Sequence, residues 1–123
     1  MGKKITIEDH LKNKSQEIID LFYKLDSKIL ELNKAEVKVT NPYIGYKLKI
    51  VDKRAKLFVE THVQNTKIGI HLRRGEYKNP SGITIKEAPD THKWTLTKLV
   101  NVNSTSDLAA IMKLIEQSYE TVK

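Results

Sequence analysis

The chain has 123 residues, 39% of them hydrophobic and 30% charged, which suits a single soluble domain spanning 1–123 with a modest core rather than a disordered chain. No apolar run approaches the roughly 20 residues needed to cross a bilayer, and "MGKKITIEDH" carries no apolar stretch behind its lysines, so neither a membrane span nor a secretory signal is expected. The chain has no cysteine, which excludes a disulfide framework and a thiolate metal site and makes a reducing, cytoplasmic location the expectation.

In chain order, "SQEIIDLFYKLDSKILEL" places Ile18, Leu21, Phe22, Leu25, Ile29 and Leu32 at helical spacing. Ser15 is the expected N-cap, because its hydroxyl can accept from a first-turn amide. Asn33, tolerant of a left-handed backbone, is the expected terminator. The period then changes from 3.6 to 2. "VKV" at 37–39 reads as a short strand, and Tyr43–Val51 is the clearest strand of the chain. "KLFVETHV" at 56–63 is its expected hairpin partner, through a "DKRA" turn at 52–55. In "KIGIHLR" at 67–73, Ile68, Ile70 and Leu72 alternate inward while Lys67, His71 and Arg73 alternate outward. "RGEYKNPSG" is loop, Ile83–Glu87 is too short to assign, and "WTLTKLVNV" is a last strand. Ser104 with Asp107 resembles a capping box that opens a second helix, whose stripe is Leu108, Ile111, Met112, Ile115, Tyr119 and Val122.

These elements predict an α+β fold: a meander of about five antiparallel strands, with an N-terminal and a C-terminal helix packed on one face. The other face is left to the charged positions. The net charge of +7 is concentrated there, since residues 34–98 hold fourteen basic side chains against six acidic ones while residues 1–33 balance.

Catalytic and metal chemistry find little in the spacing. His10, His62, His71 and His92 include no H-x-x-x-H pair; His62 and His71 could approach across paired strands, but two histidines without a third ligand make a poor site. Glu60, Glu76 and Glu87 are isolated, Ser81 sits in an ordinary "NPSG" turn, and no glycine pattern cradles a phosphate. His92 and Trp94 in "THKWTL" read as strand-start packing rather than a ligand pocket. The expectation is therefore no catalytic residues, no metal and no small-molecule cofactor; the disfavoured alternative is an enzyme whose pocket is lined by His62, His71 and Glu60 with a bound metal.

A segregated basic face interleaved with Tyr43, Phe58 and Tyr77 points to nucleic acid, because lysines displace counterions from phosphates and aromatic rings stack on bases. The competing explanation is a solvated lysine-rich face that keeps the protein soluble and discourages edge pairing. On the first reading the contacts are Lys47, Lys49, Lys53, Arg54, Lys67, His71, Arg73 and Arg74, with Tyr43 as a stacking candidate.

"VTNPYIGYK", "KIGIHLRRGEYKNPSG", "HKW" and "STSDLAAIMKLIEQSYE", in that order, resemble a family of uncharacterised prokaryotic domains of the "predicted transport protein" type, over roughly residues 7–121. Its members also occur C-terminal to restriction- or nuclease-type domains. Where the family usually has a Gly-His-Trp-Gly-like turn, this chain has "THKWT". The topology is also similar to small DNA-binding domains of the YjbR type. The resemblance implies a non-enzymatic accessory module that binds nucleic acid, with DNA favoured. The alternative is a protein-interaction or dimerisation module of a restriction or nuclease system.

Overall fold

The computed structural model describes residues 5–41, 43–48, 56–87 and 96–122. Its elements are helices α1 (Ile7–Leu11), α2 (Gln16–Leu30) and α3 (Leu108–Glu120), and strands β1 (Ala35–Val39), β2 (Ile44–Leu48), β3 (Lys56–Val63), β4 (Ile68–Leu72), β5 (Lys86–Glu87) and β6 (Lys98–Val102). The described strand pairs are all antiparallel, in the order β1-β2-β3-β4-β6-β5. The α+β class holds, with two corrections. Six strands stand among the described residues rather than about five, and the meander is broken because β6 inserts between β4 and the two-residue edge strand β5.

Both long helices form where the apolar spacing predicts. Ser15 caps α2 by accepting from the Ile18 amide at 3.2 Å. Ile18, Leu21, Phe22, Leu25 and Ile29 are buried, as is the full predicted stripe of α3. Each such side chain contributes roughly 1.5–3 kcal/mol by leaving water. The helices pack on the sheet face that carries Ile44, Tyr46, Val59, Ile70, Leu72 and Val100.

The ends of the helices differ from expectation. The left-handed residue after α2 is Lys34 (φ 64°), not Asn33, because the chain continues through turns closed by the Leu32 and Ala35 amides before it reverses. The Asn33 carbonyl instead accepts from the Tyr119 hydroxyl at 2.7 Å, which ties the exit of α2 to α3. Ser104 accepts from the Ser106 amide and caps a 3-10 turn, Thr105–Asp107; α3 starts after it, and Asp107 makes no side-chain capping bond. The short α1 has no counterpart among the predicted elements, although Thr6 and Asp9 close a reciprocal capping box around its first turn.

Strand β3 carries a β-bulge. Tyr46 pairs with Val59 and Lys47 with Leu57, so Phe58 is the extra residue. The bulge turns both Phe58 and Val59 to the helix side, where Phe58 is fully buried 5.3 Å edge-on to Tyr119. Strict alternation would have left the Phe58 ring on the open face, and its place among the basic-face aromatics is corrected accordingly. Ser118 of α3 donates to the Phe58 carbonyl at the bulge and accepts from the Arg73 amide at the end of β4. One buried hydroxyl thus satisfies two backbone groups that the ladders leave over.

Tyr46 donates to Asp26 of α2 at 2.7 Å. Burial raises the Asp26 carboxyl above its ordinary value, opposed by that hydrogen bond, and burial together with the Asp26 charge pushes the Tyr46 phenol far up. No helix among the described residues is long and apolar enough to cross a membrane.

Candidate functional site

The face of the sheet away from the helices is organised by register. Reading straight across the six described strands, its central row is Lys38, Gly45, Glu60, His71, Leu99 and Lys86. Five strand spacings make this row about 24 Å long. Lysines stand on its two edge strands, and a carboxylate and an imidazole stand at its middle.

Glu60 is fully buried, although it lies on the face the helices leave open. Its Oε1 is 3.6 Å from His62 Nε2 and 4.0 Å from His71 Nδ1, and the two imidazole centroids are 4.7 Å apart. One donor atom from each of the three residues lies within 4.8 Å of the others. The cause is local. His71 is directly opposite Glu60, and His62 is two residues along β3, so all three side chains leave the same face. The partners that would crowd them are glycines. Gly45 faces Glu60 from β2, and Gly69 faces His62 from β4. The ring of Tyr43 stands 6.1 Å from that of His62.

This corrects the expectation that no acidic residue completes a site with His62 and His71. Glu60 does so, flanked by the imidazoles of His62 and His71. The signal in the sequence is "ETH", a carboxylate and an imidazole at strand period; the third member can be added only once the β3–β4 register is known. Chemically, one carboxylate and two imidazoles can hold a divalent ion or exchange a proton among themselves.

Beside this cluster is a cleft of about 310 Å³ whose lining includes His62, Gln64, Lys67, His71, Lys86 and Asn101. Lys67 and Arg73 bracket β4 at its two ends. Arg73 is half-buried and donates through Nη1 to the Leu57 carbonyl at 3.2 Å, while Arg74 is exposed. Lys47 lies 3.6 Å from Glu36, so an anion arriving there competes with a carboxylate. Tyr43 is only 7% exposed, which offers little ring surface for stacking. Lys49, Lys53, Arg54, His92 and Trp94 lie outside the described residues. The described cations therefore stand around the open face rather than covering it, with Glu60 and its two histidines inside. Sequence reasoning does not single out Lys38 and Lys86, whose place on this face depends on the pairing of the two edge strands.

No curated protein and no solved structure matches the chain. The profile of a family described as a domain of unknown function, DUF5655, matches residues 7–122. That match takes in every described helix and strand, and the chain belongs to the DUF5655 family.

Proposed function

We propose that the protein binds nucleic acid through the open face of its sheet, as an accessory module without catalytic activity of its own. The observation that carries this reading is the basic perimeter: Lys38 and Lys86 at the ends of the central row, Lys67 and Arg73–Arg74 at the ends of β4. A face roughly 24 Å wide, with no described helix over it, admits a phosphate backbone, and cations at its rim meet phosphates without leaving water. The contacts are to the backbone, so recognition is mainly independent of sequence. DNA is favoured over RNA, and a role beside restriction- or nuclease-type modules is favoured over transport, on the resemblance of the strand and closing-helix motifs.

Fluorescence anisotropy with single- and double-stranded DNA and RNA, at two salt concentrations, tests the proposal. Affinity that falls steeply with salt supports it, and no binding to any of the four at low salt rejects it.

A second reading is docking of a protein partner or of a second copy. It is favoured by β1, a five-residue edge strand paired only to β2 among the described residues. Light scattering behind size exclusion separates a monomer from a dimer.

A further inference from the structure

We propose that Glu60, His62 and His71 form a binding site for a divalent transition-metal ion of the zinc class, reached from the open face of the sheet. This inference does not depend on nucleic-acid binding.

Three observations carry it. The donor atoms already converge, with 3.6 Å and 4.0 Å separating the carboxylate oxygen from the two imidazole nitrogens and no pair beyond 4.8 Å. Ligands at about 2.0–2.2 Å from a tetrahedral ion stand about 3.3–3.5 Å apart, so side-chain rotations of about an ångström complete the set. The set is also of the right kind. Two imidazole nitrogens and one carboxylate oxygen suit zinc and its neighbours, whereas magnesium and calcium take oxygen ligands.

The third observation is the burial of Glu60 on a sheet face that has no described helix over it. A carboxylate removed from water is costly unless its charge is compensated. A divalent ion held by Glu60 and the two imidazoles would add to that compensation while using the imidazole lone pairs. Among the described residues, the glycine on β4 opposite His62 leaves room beside the cluster. A Cβ at Gly69, the residue opposite His62, would come within 3.2 Å of the Gln64 side chain and 3.6 Å of that of Asn101, both of which line the cleft. Three protein donors leave at least one coordination position for water or an incoming ligand.

The experiment uses the full chain without an affinity tag, stripped with chelator and titrated with Zn²⁺ by calorimetry and with Co²⁺ by visible absorption. One equivalent is expected to bind, to give a ligand-field band with Co²⁺, to raise the melting temperature and to be reversed by chelator. Glu60→Gln and His62→Gln are each expected to weaken binding more than tenfold, while His10→Gln, outside the cluster, leaves it unchanged. His62 is the more exposed ligand, at 26% of its side chain, so His62→Gln decides the matter if Glu60→Gln does not fold. Absence of binding by the wild-type chain up to about 100 µM free metal overturns the proposal. So does binding that His62→Gln leaves intact.

Discussion

Glu60 and His71 face each other directly across the β3–β4 ladder, with Oε1 4.0 Å from Nδ1 on the side of the sheet the helices leave bare. The next position along β4 on that face is Gly69, opposite His62. A Cβ there first meets the end of the flexible Gln64 side chain at 3.2 Å. Gly69→Ala is therefore expected to keep the stability within about 1 kcal/mol of wild type, since the tight approach to a yielding side chain is offset by a less flexible unfolded chain. Denaturant unfolding checks it. Gly45→Ala is expected to be worse, by about 1–3 kcal/mol, because its Cβ would lie 2.9 Å from the Tyr43 ring.

Ser118 joins the helix layer to the sheet at the bulge of β3. Ser118→Ala removes the donor to the Phe58 carbonyl and the acceptor for the Arg73 amide together. A loss of about 2–4 kcal/mol is expected from two backbone groups left without that partner. Urea unfolding, with far-UV circular dichroism to confirm the native fold, measures it. A loss below about 0.5 kcal/mol, the lower end for a single hydrogen bond, contradicts the bridging role.

The Asp26–Tyr46 pair predicts a pH dependence. Asp26 is raised chiefly by burial, so the folded protein holds its proton at pH values where the unfolded chain, with a carboxyl near about 3.9, has released it. The native state then binds more protons across that window. This group's contribution favours folding as pH falls through the raised value and diminishes as pH rises. Tyr46→Phe removes the donor that opposes the shift, so the Asp26 value rises further. Its cost, about 1–2 kcal/mol near neutral pH after allowance for partial exposure, is expected to shrink in acid, where the carboxyl is neutral. Asp26→Asn is expected to flatten the dependence. Melting curves from acid to neutral pH test both.

The basic perimeter predicts a charge effect. Lys67→Glu with Lys86→Glu is expected to weaken duplex DNA binding at low salt and to reduce the slope of log affinity against log salt by about 2, one for each phosphate no longer neutralised. Anisotropy titrations measure both quantities. A slope unchanged in a folded double variant removes these two residues from the interface.

The helix stripes, the Ser15 cap, the bounds of β3 and the antiparallel α+β class were legible in the sequence. They follow from the spacing of apolar side chains along each element, which neighbouring residues set. The trio at the site could be named from the sequence only as a disfavoured alternative, because sheet faces are composed by register between strands. Glu60 and His62 share a face by periodicity alone, but His71 joins them only through the β3–β4 pairing, and Lys38 and Lys86 reach the same row only through the two edge strands. The bulge at Phe58 shows the same limit. Its carbonyl is held by a helix hydroxyl sixty residues away, which no local pattern encodes. Local sequence thus determined which segments are helix or strand and where positive charge is rich. Tertiary pairing decided that a buried carboxylate between two imidazoles, rather than a sheet of lysines, occupies the centre of the open face.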